Sequence, residues 1–334
     1  MSQSEPSRSV LRDTLARLIL RHDLTLTSAE VSDKGGLDHA DGQRLWRALG
    51  FPETGDSIAY GDPDVTAVAT VAAALEAGIL DEATVFRMTR ALGATMARLA
   101  DWQVSALVDQ IEHDVEGGKS DTRLAAATEL ARTAAPGFEQ LMIYAWRRHL
   151  AAAAARVEAL GAVDAELLST TMTVGFADLS RFTSLSNGLD DNSLGALVEN
   201  FETRCADIIT AHGGRVIKTL GDAVLFVSDD PREGTRTALD LVRQIAMRTE
   251  LPNICVGLAT GSVISRLGDV YGPPVNLAAR LSHVARSNRV LVDKATADAL
   301  GDEFDARTLP PRPLRGFGNL SPITVSERRG FRSR

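Results

Sequence analysis

The sequence predicts a protein of the α+β class, with an all-helical front half and a back half in which helices pack on a mixed sheet. All three tryptophans and four of the six histidines precede residue 150, while strand-like segments cluster after residue 170. Helices and strands alternate there, with one tight hairpin among them, which is typical of helices packed over a mixed sheet. Because 334 residues exceed one ordinary core, we expect two domains, 1–160 and 170–334.

The front half consists of successive predicted helices. Asp62 and Pro63 supply a cap and a first-turn proline for a helix that ends at Gly78. Asp81 begins a second helix, whose apolar residues repeat near 3.6 and predict a buried or partner-binding stripe: Val85, Met88, Leu92, Met96, Leu99 and Val104. A third helix, at about 137–160, contains an alanine run and leads into the back half, as a switch element or as a plain linker.

The back half alternates between the two element types. Its predicted strands are 171–179, a hairpin at 215–228, 253–261, 288–293 and 322–327. Its predicted helices are 192–214, 231–247, 273–285 and 294–300.

Composition excludes several classes of protein. No apolar run approaches the roughly 18 residues of a membrane span, and the first residues lack the apolar stretch of a signal peptide, so we expect a cytoplasmic protein. Only two cysteines occur, Cys205 and Cys255, in apolar patterns that argue against a disulfide framework or a cysteine metal site. A net charge of -8 argues against a protein that coats nucleic acid.

Two aspartates follow predicted strands. Asp178 ends an apolar strand and Asp222 follows the Gly221 turn of the hairpin. A carboxylate at the end of a buried strand is costly unless it is compensated, and a divalent cation is a common compensation. Two such carboxylates on adjacent strands can hold a pair of Mg²⁺ or Mn²⁺ ions, whereas each one alone also fits a turn or capping residue.

Three motifs together resemble the catalytic domain of the class III nucleotide cyclases, over roughly residues 170–330. A pattern F-x-D-[LI]-x-x-[FS]-T is matched by Phe176, Asp178, Phe182 and Thr183. A K-x-x-G-D hairpin is matched by Lys218, Gly221 and Asp222. An aspartate, an asparagine seven residues later and an arginine four further are matched by Asp269, Asn276 and Arg280. The resemblance implies a ferredoxin-like palm with helices packed on a mixed sheet.

The resemblance also implies roles for these residues. Asp178, Asp222 and the backbone carbonyl of Leu179 would bind two divalent cations. Lys218 and Asp269 would read the adenine base, because adenine presents one acceptor and one donor where guanine presents the reverse. The substrate implied is therefore ATP, and the product is 3′,5′-cyclic AMP.

Further roles concern the ribose and the phosphates. Asn276 would orient the ribose and Arg280 would offset charge on the α-phosphate, from one face of one helix. The phosphate-binding candidates are Ser180, Arg181, Phe182, Thr183 and, in place of a missing arginine, Arg315. Relatives have an arginine where Cys255 stands, their segment corresponding to 261–269 is longer, and Tyr271 replaces a common tryptophan.

Partners and regulation follow from the same resemblance. One chain carries both the metal and the base-reading residues, as in homodimeric members with two shared sites. The all-helical front resembles that of soluble mycobacterial cyclases, in which an N-terminal domain autoinhibits in response to pH. Candidate pH sensors are His22, His39, His113 and His149, and a fatty acid between helices is a second possible regulator.

Three other interpretations stay open. A helix-turn-helix-like stretch with Arg44 and Arg47 would suit a nucleotide-responsive DNA-binding protein, although nucleic acid is disfavoured by the sparse basic residues. A diguanylate cyclase would need hairpin acids that LGDAVLF does not supply. An inactive cyclase scaffold is disfavoured because no metal-binding or base-reading residue is missing.

Overall fold

A computed structural model describes residues 15–159, 169–180, 182–266 and 268–328, without the side chains of 157–159, 169 and 183. The chain divides into two compact units, Met1–Ala155 and Arg156–Arg334. None of the described helices is both long enough and apolar enough to span a membrane.

The first unit is helical. After a helical segment at 15–20 come α1 (Ser28–Gly35), α2 (His39–Leu49), α3 (Asp62–Glu76), α4 (Glu82–Glu116) and α5 (Arg123–Ala159). Its core joins apolar residues of the first four helices with those of the loops between them: Leu26, Val31, Leu45, Trp46, Ala48, Tyr60, Val68 and Phe86. Trp46 stacks on Tyr60 with ring centroids 4.9 Å apart.

Two expectations for this unit are wrong. Asp62 is the first residue of α3 rather than its cap, and the Asp64 side chain accepts from the backbone amide of the true cap, Gly61. Helix α5 begins at Arg123, not near 137, and contains Pro136; the alanine-rich flanks have high enough helix propensity to continue past the proline.

The predicted apolar stripe of α4 is buried only in part, so its other interpretation, a surface for a partner, stays a prediction. Val85 is buried, but Met88, Leu92 and Val104 are 59%, 54% and 62% exposed. Only the first turns of α4 pack on the small core, because a helix of 35 residues extends well beyond it.

The second unit is built on a mixed sheet. Its strands are β1 (Ser169–Leu179), β2 (Arg215–Thr219), β3 (Ala223–Ser228), β4 (Ile254–Arg266), β5 (Asp269–Tyr271), β6 (Arg289–Val292), β7 (Phe304–Thr308), β8 (Arg312–Leu314), β9 (Gly318–Leu320) and β10 (Ile323–Glu327). Its helices are α6 (Phe182–Ser186), α7 (Asp191–Ala211), α8 (Pro231–Ala246), α9 (Pro273–Val284) and α10 (Lys294–Asp298).

Strand order confirms the predicted fold class. The sheet runs β2-β3-β1-β4-β6-β10-β7, with β5 paired to β4, and only β4 and β6 are parallel. The order β2-β3-β1-β4, with α7 and α8 as crossovers, is the βαββαβ arrangement of a ferredoxin-like palm. The short strands β5, β7, β8 and β9 were not predicted, since three to five residues give too little alternation to detect.

Each face of this sheet is covered differently. Helices α7 and α8 cover one face through a core that includes Phe201, Leu241 and Ile254. Helix α9 covers the other so closely that a Cβ at Gly257 would lie 2.2 Å from the Ala278 carbonyl oxygen. The end of this second face carries the predicted functional residues.

Candidate active site

The two predicted metal-binding aspartates lie on neighbouring strands at the same end of the sheet. Asp178 pairs in register with Ala223, the residue after Asp222, and the Leu179 amide donates to the Asp222 carbonyl at 2.8 Å. Asp222 is the second residue of a two-residue hairpin turn, which Gly221 begins at a φ of 72°. The turn therefore brings the second carboxylate beside the first.

The electrostatics of Asp178 fit a cation site. Burial and, next, the negative charge of Asp222 raise the pKa of the Asp178 carboxyl, while the nearby His283 acts in the opposite direction. Within the described residues neither carboxylate accepts a side-chain hydrogen bond or forms an ion pair. Two partly buried, unpaired carboxylates beside the main chain of Leu179 are an oxygen donor set suited to Mg²⁺ or Mn²⁺.

No larger metal cluster accompanies them. The part of the chain that the structure describes has no group of three or more His, Cys, Asp or Glu side chains that could hold a metal ion. A cation at this position would therefore depend on the two aspartates, on main-chain oxygens and on the substrate's own phosphates.

The predicted base-reading residues are in contact. Lys218 Nζ donates to Asp269 Oδ2 at 2.5 Å, and the two side chains are 39% and 22% exposed. Burial raises the pKa of Asp269, but the hydrogen bonds from Lys218 and from the Val270 amide outweigh it and hold the pKa below its usual value. An ammonium donor and a carboxylate acceptor thus stand side by side and partly open to solvent.

A β-bulge decides which way Lys218 faces. Val216 pairs with Phe226 but Lys218 pairs with Leu225, so Ile217 is an extra residue in β2. If β2 kept a regular register, with Ile217 paired to Leu225, Lys218 would oppose Val224, which packs into the core under α7 and α8. The bulge instead turns Lys218 toward the face where Leu225 lies and where Asp269 meets it.

Helix α9 presents the other two predicted residues. Asn276 is exposed and Arg280 is half-buried, one helical turn apart, while Pro274, Ala278, Leu281 and Ser282 are buried beneath them. Neither polar side chain has a hydrogen bond or ion pair within the described residues, so both remain available to a ligand.

The predicted phosphate turn is only partly as expected. Arg181 lies outside the described residues, as does the side chain of Thr183. The Ser180 amide donates to the Asn253 carbonyl at 2.7 Å and is not free for a phosphate, which corrects that expectation. Phe182 packs against the core as the first residue of the five-residue helix α6.

Arg315 lies in the exposed turn between β8 and β9. Among the described residues no hydrogen bond or ion pair joins it to the aspartates or to α9. Its neighbour Leu314 packs with Leu281 of α9, and a phosphate contact by Arg315 stays a prediction.

A hydrogen-bond network around Cys255 was not foreseen. The Cys255 thiol donates to the Ala285 carbonyl at 3.3 Å and lies 3.2 Å from Ser180 Oγ, which in turn accepts from Ser287 at 3.0 Å. Burial raises the pKa of this thiol, which keeps it protonated as a donor. Cys255 thus links the turn after β1 to the end of α9, a role that sequence spacing alone does not reveal.

His283 was also missed. It follows Arg280 by three residues, so it lies on the same side of α9, and its charge acts on Asp178. In the sequence, this three-residue spacing from Arg280 was the one feature that could have pointed to His283.

Comparisons with known proteins agree with this geometry. Residues 166–325 match the adenylate and guanylate cyclase catalytic domain. An adenylate cyclase of Streptomyces coelicolor (strain ATCC BAA-471 / A3(2) / M145) is 36% identical over 98% of this chain and 92% of its own length. A pH-sensitive adenylate cyclase of Mycobacterium tuberculosis (strain CDC 1551 / Oshkosh) is 29% identical over 90% of this chain and 78% of its own.

A solved adenylyl cyclase from P. aeruginosa superposes with a TM-score of 0.46 at 21% identity, over 49% of this chain and 98% of that one. The similarity to the Streptomyces protein extends over both units, so the front helices are shared as well as the palm. On the strength of the similarity to the Streptomyces protein, the chain belongs to the class III family of adenylate and guanylate cyclases.

Proposed function

We propose that this chain converts ATP to 3′,5′-cyclic AMP and pyrophosphate, at sites shared between two copies of itself. The contact between Lys218 and Asp269 carries the choice of substrate. An ammonium donor meets adenine N1 and a carboxylate accepts from the 6-amino group, whereas guanine would leave both charges unpaired. The full-length relatives named adenylate cyclase support the same substrate.

The chain's own residues supply the remaining functions. Asp178 and Asp222 would hold the divalent cations, which when bound acidify the ribose 3′-hydroxyl and neutralise phosphate charge. Asn276 would orient the ribose, so that the 3′-oxygen lies in line with the α-phosphorus. Arg280 would offset the charge that grows on the α-phosphate as pyrophosphate leaves.

The surface around the base-reading pair supports a second copy as the partner. Leu220 on the hairpin and the paired residues Ile264 and Tyr271 of β4 and β5 are 46%, 49% and 51% exposed. Large apolar side chains grouped beside a polar site are typical of a surface that another protein covers. In the homodimer, Lys218 and Asp269 of one copy would bind the adenine of a nucleotide whose phosphates lie at Asp178 and Asp222 of the other copy.

Incubation with ATP or GTP and Mg²⁺ or Mn²⁺ tests the reaction. We expect cyclic AMP from ATP, little cyclic GMP from GTP, and no product from Asp222→Ala. A control substitution, Asp229→Ala, removes a carboxylate at the opposite end of β3 and should retain activity. Equal turnover of both nucleotides, or product formation by Asp222→Ala, would contradict the proposal.

We further propose that the helical unit regulates turnover in response to pH or to a lipid. The similarity to a pH-sensitive relative supports this, as do the exposed apolar residues of α4 and α5. The four histidines first considered are accompanied by His212, whose Nε2 lies 2.8 Å from Asp240 in the second unit. The test compares turnover by the full chain with turnover by residues 165–334 from pH 5.5 to 8, with and without oleate. If the two pH profiles coincide, the proposal is rejected.

The DNA-binding alternative loses its main support. Arg44 forms an ion pair with Glu82 and Arg47 pairs with Glu53 at 2.9 Å. Side chains that are neutralised in this way contribute little to phosphate binding.

A further inference from the structure

Four arginines from four separate segments line a cleft of ≈ 600 Å³ in the second unit. Arg286 follows α9, Arg289 begins β6, Arg307 lies on β7 and Arg312 begins β8. None of these residues belongs to the motifs that define the cyclase site.

Strand register directs two of these arginines to one face of the sheet. Leu291 pairs with Thr324 on β10, and Thr324 pairs with Arg307 on β7, so the three side chains share a face. Arg289 precedes Leu291 by two residues and therefore lies on that face too. Because β6 and β7 flank β10, the two arginines stand on strands about 10 Å apart, the separation of two ladder spacings.

The lining of the cleft is part apolar and part polar. Leu291 packs with Leu281 of α9 and with Leu314 of the β8–β9 ribbon, which closes one side. Val284, Ala306, Leu309, Pro310 and Val325 add further apolar residues to the lining, and Thr324 and Ser326 add polar ones. A ligand here would meet charged groups at the rim and a partly nonpolar surface beneath, which is common in small-molecule sites of this volume.

The charges in the cleft are not balanced. Within the described residues none of the four guanidiniums has a hydrogen bond or an ion pair. The one acidic residue of the lining, Asp305, already binds Arg328 at 2.9 Å. Four unpaired positive charges in a chain of net charge -8 repel one another, and an anion bound between them would remove that cost.

We propose that this arginine cleft binds a small polyanion bearing several phosphate groups. Guanidiniums on different strands can each hold a phosphate by paired N–H bonds, and a chain of two or three phosphates spans their separation. A cleft of this volume is too small for a length of nucleic acid. Cys255 lies between Asp178 and Arg289 in the register of the sheet, so two ladder spacings, about 10 Å, separate the strand of Arg289 from that of the proposed metal-binding Asp178.

Calorimetric titration of the full chain with tripolyphosphate, without divalent cations or ATP, tests the proposal. We expect saturable binding that weakens about tenfold or more in the double variant Arg289→Ala/Arg307→Ala, since each lost charged contact costs affinity. Arg204→Ala, an exposed arginine of α7 without an ion pair, is the matched control and should stay within about twofold.

Further measurements distinguish a phosphate-binding site from a site for any polyanion and from the absence of a site. Citrate in place of tripolyphosphate should bind more weakly; equal or tighter binding would overturn the phosphate assignment. Absence of tripolyphosphate binding, or equal affinity in the double variant and the parent, would overturn the site itself. Thermal unfolding checks that the double variant folds. If it does not fold, the single variant Arg307→Lys provides the test, because lysine keeps the positive charge but cannot form the paired N–H bonds. Tripolyphosphate should bind more weakly to this variant than to the parent. No arm depends on turnover, so failure of the proposed cyclase reaction would leave this result intact.

Discussion

A single inserted residue determines the orientation of the proposed base-reading lysine. In a regular strand Val216 and Lys218 would share a face, and the lysine would be buried under α7 and α8. The bulge at Ile217 lets the apolar residues before it keep their packing while Lys218 turns to Asp269. A charged pair beside a hairpin turn is therefore compatible with the sheet.

Replacing Lys218 should reduce both rate and selectivity. Lys218→Ala removes a charged hydrogen bond, so kcat/KM for ATP should fall by about 10- to 150-fold, and the preference for ATP over GTP should narrow. Arg215→Ala, on the same strand but paired with Asp229 at 3.1 Å, is the control and should change kcat/KM little. An unchanged ATP to GTP ratio in Lys218→Ala would argue against base reading by this residue.

The ionised Asp178 carboxylate should destabilise the metal-free protein and stabilise the protein when a cation is bound. Its folded-state pKa is raised above the ordinary value of 3.8 by burial and by Asp222, so the stability of the metal-free protein falls as pH rises from the ordinary pKa through the raised one. At neutral pH Asp178→Asn should therefore raise the Tm of the metal-free protein. Mn²⁺ should raise the Tm of the parent but not of the variant, which differential scanning calorimetry can measure. A similar Mn²⁺ effect on both proteins would contradict cation binding at Asp178.

At the level of elements, helix α9 is positioned by a glycine on the strand beneath it. A Cβ at Gly257 would lie 2.2 Å from the Ala278 carbonyl and 2.3 Å from the Ser282 amide. Both neighbours are main-chain atoms, which cannot move without moving the helix. The positions of Asn276 and Arg280 thus depend on a residue that makes no contact with substrate.

Gly257→Ala should displace α9 and impair catalysis. Overpacking should cost about 1–3 kcal/mol of unfolding free energy, and a displacement near 1 Å should lower kcat about 100-fold. Gly195→Ala, in α7 with no atom within 4 Å of the new methyl, should instead stabilise by about 0.5–1 kcal/mol. Urea unfolding and turnover measure both effects; a fully active, equally stable Gly257→Ala protein would show that α9 tolerates the shift.

For the whole molecule, the central question is whether two chains complete one site. Asp222→Ala lacks a metal ligand and should be nearly inactive alone, and Lys218→Ala lacks a base-reading group and should keep at most about a tenth of parental activity. Random pairing of equal amounts should recover about a quarter of parental activity, because half of the dimers contain one intact site of two. No recovery on mixing folded variants, checked by light scattering for dimers, would count against shared sites.

Local patterns were sufficient to predict much of this protein. The family, the α+β class and the adenylate cyclase class are confirmed, because spaced polar residues and amphipathic periods are properties of the chain itself. The α4 stripe, by contrast, was expected to be buried or to bind a partner, and three of its six residues are exposed. Periodicity identifies an apolar face but not the element that covers it.

The amino-acid sequence was enough to name the residues that we propose for the chemistry: the two strand-end aspartates, the lysine and aspartate pair, and the asparagine and arginine one turn apart. The arrangement of these side chains in space depends on the folded chain. It rests on the Ile217 bulge, on the close approach of α9 to Gly257 and on the Ser180 amide, which already donates to a backbone carbonyl. The folded chain also gathers four distant arginines around one cleft. Spacing along a chain fixes local geometry, whereas register, close packing and unpaired charge depend on residues far apart in sequence and exist only once the sheet is assembled.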